Sequence, residues 1–201
     1  MASPQAGAYD IDSNESLLTI LVFRGGPLAA AGHNHLVASH SLTGTIRVDP
    51  AQPLQTTFEI HLPVEQLTID EPQLRQALNR EDFPAEVPEE ARTATRRNML
   101  GESLLDSSHH PEIVLRSGKI FVGGHPGEVI ATVLAEVRGE EHPFKTNLRY
   151  ELSPDGLRIT GQVALKQTDL GLTPYSTLMG ALTVLDEMQL TFDLKAHPAQ
   201  D

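Results

Sequence analysis

The stretch Phe144-Lys145-Thr146-Asn147-Leu148-Arg149-Tyr150-Glu151-Leu152-Ser153-Pro154-Asp155-Gly156-Leu157-Arg158-Ile159-Thr160-Gly161-Gln162-Val163-Ala164-Leu165 alternates apolar and polar residues almost without error. Phe144, Thr146, Leu148, Tyr150 and Leu152 hold the even positions, against Lys145, Asn147, Arg149 and Glu151. After Ser153-Pro154-Asp155-Gly156 the pattern resumes as Leu157, Ile159, Gly161, Val163 and Leu165, against Arg158, Thr160, Gln162 and Ala164. Strand side chains point to opposite faces with period two, so each half buries one face and wets the other. Ser-Pro-Asp-Gly is turn chemistry, which makes the halves an antiparallel hairpin. Met188, Leu190, Phe192 and Leu194 repeat the alternation against Gln189, Thr191 and Asp193. Long antiparallel strands with one apolar face must cover it with a second sheet or curl round on themselves.

Outward from this hairpin the same reading finds more strands. Residues 16–23 form a continuous apolar strand ended by Arg24-Gly25-Gly26-Pro27. Residues 27–39 are Ala-rich, and both a helix and an irregular segment stay open there. Leu42, Gly44, Ile46 and Val48 alternate with Thr43, Thr45 and Arg47, and Phe58, Ile60 and Leu62 with Thr57, Glu59 and His61. Further strands are predicted at 112–122 and 128–138, joined by the turn Gly123-Gly124-His125-Pro126-Gly127. In between, apolar residues recur at helical spacing, which predicts helices over 72–80 and 87–100, separated by Pro84 and Pro88. The expectation is a mainly β chain, an eight-stranded antiparallel barrel with a helical insertion around 71–100. Residues 1–8 are expected to be disordered and 9–197 to form one domain.

Composition sets bounds on function. A chain of 201 residues buries a substantial core as one domain. It has no cysteine, which excludes disulfides, thiolate metal sites and a cysteine nucleophile. No apolar run approaches the roughly 20 residues of a membrane-spanning helix. The start, Met1-Ala2-Ser3-Pro4-Gln5, has neither a basic nor an apolar signal region. The chain as written is therefore expected in the cytoplasm, or in the periplasm if it is a processed form. A net charge of −12 disfavours nucleic acid and anionic membrane surfaces as partners. Aromatic residues make up 4 % of the chain, with no Trp, so the interior is expected to be mostly aliphatic, which suits a flexible hydrocarbon.

Several blocks in order resemble the YceI-like family of lipocalin-like barrels, from Tyr9 to about Ala196. They are Tyr9-Asp10-Ile11-Asp12; Ser41-Leu42-Thr43-Gly44-Thr45-Ile46; Arg97-Asn98-Met99-Leu100, Leu104-Leu105-Asp106 and His110-Pro111-Glu112-Ile113; and Gly161–Leu172. The resemblance implies an extended eight-stranded barrel whose interior holds a long isoprenoid or fatty chain, in a family mostly exported to the periplasm and often dimeric. This chain departs from the pattern at Asn14-Glu15-Ser16, where many members have a His-Ser pair. Gly32-His33-Asn34-His35 marks a GHNH-containing subgroup.

Two functional readings follow. In the first, the chain binds, carries or sequesters a small apolar ligand: a polyisoprenoid, a quinone or a fatty-chain lipid. The candidate wall residues are Phe58, Ile60, Leu148, Tyr150, Ile159, Val163, Leu190 and Phe192. His40, in phase with Leu42 and Ile46, joins Tyr150 as a polar anchor. Gly44, Thr146 and Gly161 either leave room for the ligand or relieve crowding in a curved sheet. The helical insertion at 71–100 is the cap or rim. In the second reading the histidines hold a divalent metal, for sensing or catalysis. His33 and His35 would share one side of a strand about 6.6 Å apart, with His109 or His110 as third ligand and Glu112 or Asp106 in support. No HExxH, GxSxG elbow, GxGxxG or phosphate loop is present, and no catalytic residue is assigned. A barrel packed solid is the remaining alternative.

Overall fold

A computed structural model describes residues 6–199. The chain runs through β1 (Gly7–Ile11), β2 (Leu17–Gly25), β3 (His35–Ser39), β4 (Thr43–Val48), β5 (Thr57–Pro63) and β6 (Thr68–Ile69). Two helices follow, α1 (Pro72–Leu78) and α2 (Glu89–Leu100). Then come β7 (Glu112–Val122), β8 (Glu128–Val137), β9 (Glu140–Ser153), β10 (Gly156–Lys166), β11 (Ser176–Thr177) and β12 (Leu182–Pro198).

Every pairing is antiparallel. The order β1-β4-β5-β7-β8-β9-β10-β12 closes on itself where Tyr9, Asp10 and Ile11 pair with Pro198, His197 and Ala196. Beyond β1, β12 pairs with β2, β2 with β3, and β3 with β6. Thus β1/β2, β3/β4 and β5/β6 are three interrupted staves, and the barrel has eight staves in all. Closure removes the edges that an open sheet would present for aggregation.

The alternation in the sequence is the inward–outward alternation of this barrel. Along β8, Val129, Ala131, Val133, Ala135 and Val137 are buried while their neighbours are half-buried. In β7 the phase changes at a bulge between Ser117 and Ile120, so Ile113 and Leu115 face the same interior as Ile120. The continuous apolar run of β2 has a different cause. Its inner face carries Leu18, Ile20 and Val22, while Leu21 and Phe23 of its outer face join Leu36, Leu74, Leu78 and Phe83 in a second small core. Phe23 and Phe83 meet edge to face, with ring centroids 5.6 Å apart. So α1 buttresses the outside of the wall, and within the insertion expected to be cap or rim it is α2 that reaches the lumen, through Met99.

Other differences are local. Residues 7 and 8 belong to β1 and are not disordered, whereas residues 1–5 of that predicted segment lie outside the described residues. Over 27–39 the chain makes a short 3-10 turn at Ala29–Ala31 and then β3. Glu140-Glu141-His142-Pro143, ahead of the alternating stretch that starts at Phe144, extend β9 through pairing with β8. Gly44 has φ 142°, and a Cβ there would lie 2.1 Å from the Glu59 carbonyl oxygen. That glycine serves the close approach of β4 to β5 and makes no room for a ligand.

Candidate ligand-binding site

Inside the barrel lies a cavity of about 260 Å³. Its wall includes all eight residues proposed from the sequence: Phe58 and Ile60 on β5, Leu148 and Tyr150 on β9, Ile159 and Val163 on β10, and Leu190 and Phe192 on β12. From Leu157 to Leu165 the lining follows β10 for about 27 Å of strand rise. The polar side chains on the wall are few, namely Thr56, Thr146, Gln167 and the Tyr150 hydroxyl. Thr146 donates to the Asn147 carbonyl, and Gln167 donates through Nε2 to the Leu185 carbonyl 2.9 Å away. Such a tube offers a solute little except apolar contact.

Three small wall residues explain why eight staves leave space here instead of filling it: Ala131, Ala135 and Thr146. Gly161 acts differently. A Cβ there would meet the Phe192 ring at 2.3 Å, so the glycine is a seat for that ring.

The two ends differ. At one end Met99 of α2, then Leu104 and Leu105 just beyond it, and Leu170 and Leu172 after β10 close the lumen with apolar side chains. Arg96 fastens α2 there by donating to the carbonyls of Leu67 and Glu65, each at 2.6 Å. At the other end Pro53, Val129 and Tyr150 are shared between the cavity and an open hollow formed by the 51–55 and 122–128 loops. Tyr150 therefore stands at a mouth. Among the described residues no hydrogen bond reaches its hydroxyl.

The profile of the YceI-like domain family matches residues 9–196, nearly the whole chain. The chain belongs to the YceI-like family. No curated protein matches its sequence. Among solved structures it is similar to BcnA of Burkholderia cenocepacia, at 13% identity and a TM-score of 0.65, covering 92% of this chain and 99% of that one. A polyisoprenoid binding domain from Saccharophagus degradans, implicated in plant cell wall breakdown, is 10% identical with a TM-score of 0.60, over 97% of this chain and all of that one. The YceI protein of Campylobacter jejuni is 10% identical with a TM-score of 0.55, over 80% of this chain and 82% of that one. At such identities the likeness establishes the fold.

In this YceI-like barrel the histidines do not assemble as the metal reading requires. His33 precedes β3, with its ring centroid 6.1 Å from that of His35. Both nitrogens of His35 are taken: Nδ1 donates to Asp70 at 2.6 Å, and Nε2 meets the Thr95 hydroxyl at 3.0 Å. His109 pairs with Asp106 at 2.9 Å, which raises the His109 pKa, and neither it nor His110 joins His33 and His35 in a metal-sized group. Glu112 instead bonds His61. Among the described residues the one group of metal-sized spacing is Asp12, Glu15 and His197, on the surface. There Lys195 and His197 already neutralise Glu15. His40 is corrected as well. It is exposed, bonds Glu71, and lies outside the cavity, because the break at 40–42 between β3 and β4 resets the phase.

Sequence reading missed the polar knot around Asp70. This buried carboxylate accepts from the Leu36 amide and from Arg75, whose guanidinium also donates to the Asn34 and Pro84 carbonyls. Burial would raise the Asp70 pKa, but the hydrogen bonds from His35 and Leu36 and the Arg75 charge hold it below the usual range. The one signal available was Arg75 beside Leu74 and Leu78, a cation on the apolar side of a short helix.

Proposed function

We propose that this chain encloses one long apolar molecule (a polyisoprenoid, an isoprenoid quinone or a fatty-chain lipid) and carries or sequesters it. The observation that supports this most directly is the cavity itself, hollow and apolar from Tyr150 to Met99. Each methylene taken out of water into such a lumen contributes about 0.8 kcal/mol, so a long chain binds with few polar contacts. The Saccharophagus domain of the same fold is described as polyisoprenoid binding, which agrees with this reading.

Native mass spectrometry of the protein as purified tests it. The expected result is an excess mass of several hundred daltons that disappears on denaturation and is absent from a folded Val163→Asp variant. Protein at its bare mass that also fails to take up added long-chain isoprenoids would overturn the proposal.

A further inference from the structure

We propose that the barrel docks on a lipid bilayer through one apolar tip, built by the β11–β12 hairpin and the loop after β2. Docking of this kind is independent of what fills the lumen. From Leu170 to Leu185, and again from Gly25 to Gly32, the chain carries no charged residue, although 21% of all residues are charged. The fold brings the two stretches together. The Leu28 amide donates to the Ala181 carbonyl at 2.8 Å, and Leu185 lies over Gly25, where a Cβ would meet its Cδ2 at 2.5 Å. Leu28, Tyr175, Leu178, Met179 and Leu185 are exposed there, Leu178 by 62% and Met179 completely. A cluster of large exposed apolar side chains marks a docking surface. The backbone is strained at the same place. Leu178, Met179 and Gly180 are left-handed in succession, at φ 52°, 55° and 87°. Glycine alone takes that conformation freely, so Leu178 and Met179 hold an unfavourable backbone that projects two apolar side chains into solvent.

Size, polarity and charge favour a bilayer as the occupant. A specific protein interface takes about 800 Å² and about 20–30 residues on each side, and five apolar side chains at a hairpin tip fall well short of that. A bilayer needs no complementary shape, and its affinity for a segment rises with the apolar area inserted. The backbone of the tip is already paired. Ser176 and Thr177 pair with Thr183 and Leu182, Val184 donates to the Tyr175 carbonyl at 2.9 Å, and Ala181 donates to that of Leu178 at 3.2 Å. Backbone groups paired within the protein lose little on leaving water. Tyr175, an amphipathic ring, suits the level of the head groups. Neither stretch contains Lys or Arg and the net charge is −12, so the attraction is to the apolar layer and not to anionic lipid. Leu170 and Leu172, which open the longer stretch, line the lumen at its α2 end, so docking sets that end of the barrel against the membrane.

The test is flotation of the full chain with vesicles of phosphatidylcholine, paired with fluorescence of an M179W variant. The protein has no other Trp, so the emission reports this one position. Wild type is expected to float with the vesicles equally at low and high salt, and no better when phosphatidylserine is added. The M179W emission should shift to the blue on vesicles, which uptake of a lipid into the lumen would not produce. The double variant Leu178→Ser, Met179→Ser, altered only at exposed positions, should keep the wild-type melting temperature and lose vesicle binding by about tenfold or more. Failure of wild type to float, undiminished flotation of the double variant, or binding that requires anionic lipid would overturn the proposal. An unshifted M179W emission overturns it independently of the double variant. Conversion of a wild-type dimer to monomer by the double variant, with no flotation of either, would also overturn it and assign the tip to a contact between two copies.

Discussion

The imidazole of His35 and the carboxylate of Asp70 meet at 2.6 Å, and the Asp70 side chain has no solvent exposure at all. Around this pair the helical insertion is tied to the barrel. Thr95 of α2 bonds His35, Arg75 of α1 bonds Asp70, and the same guanidinium holds Pro84 in the connection between the helices. A carboxylate accepts only, so His35 Nδ1 carries the proton. Thr95 of α2 meets the other ring nitrogen, Nε2, at 3.0 Å, so one imidazole joins α2 to the Asp70 carboxylate.

Replacing Asp70 with Ala should be among the costliest single changes in this chain. It leaves Arg75 as a buried charge without its counter-ion and strips the Leu36 amide of its acceptor. Breaking one partner out of a buried pair typically costs about 3–5 kcal/mol. Urea unfolding should show that loss, and a change below about 1 kcal/mol would mean that the knot is not structural.

Acid stability follows from the same carboxylate. Its folded pKa lies below the unfolded value, about 3.9, so the unfolded chain binds more protons and stability rises with pH in that window. The contribution is complete above the unfolded pKa and is lost as pH falls through the folded one. His33 has the same sign at higher pH, because burial, then the charge of His35, lowers its pKa below 6.5. The wild type should therefore lose stability below about pH 4. In Asp70→Asn that limb should flatten, which thermal melts from pH 2 to 7 would reveal.

Much of this was legible because a closed antiparallel sheet writes its interior into the chain as period two. Phe58, Ile60, Val163 and Leu190 could be placed on one wall without any structure. Three things broke the rule. The bulge at Ser117–Ile120 resets the phase of β7, and the break at 40–42 resets it between β3 and β4, which puts His40 on the outer face. The doubly covered β2 carries no alternation, because α1 and Phe83 bury its outer side. The Asp70 knot joins residues 35, 70, 75 and 95, and nothing in local spacing links them. The mouth was missed for a related reason: Gln52, Gln55 and His125 sit in two loops that the fold alone brings together.

Arg96→Ala should loosen the lid without unfolding the barrel. The variant loses two charged donations to the carbonyls of Leu67 and Glu65, at about 1–3 kcal/mol each. Hydrogen exchange should then accelerate over 89–105 and stay unchanged in β8–β10, and a bound lipid should leave faster. Uniform acceleration across the barrel would instead make Arg96 a global determinant of stability.

Gly161→Val tests the seat of Phe192. Its Cβ would collide with that ring at 2.3 Å and approach the Asn147 carbonyl oxygen at 2.9 Å, so the ring must swing into the lumen. Overpacking of this kind costs about 1–3 kcal/mol. The variant should melt earlier and retain less ligand than wild type, and a double variant with Phe192→Ala should recover ligand uptake. Undiminished uptake by Gly161→Val alone would show that Phe192 has another place to go.

Removing the ligand should itself destabilise the fold. A molecule that binds the folded chain alone adds RT ln(1 + [L]/Kd), about 2.7 kcal/mol at a hundredfold excess over Kd. An empty apolar tube also lacks the dispersion contacts that a packed core makes across its centre. Side chains such as Phe144, Leu148 and Ile159, which line the lumen, would then face either a void or water. Delipidated protein should therefore melt several degrees lower than protein as purified, and geranylgeraniol should restore the difference in a concentration-dependent way. A melting temperature unmoved by stripping and reloading would mean that the interior is stable when empty. The cavity would then be a property of the wall, held open by the closed hydrogen-bond ladder and the Asp70 knot, and occupancy would contribute nothing to the fold.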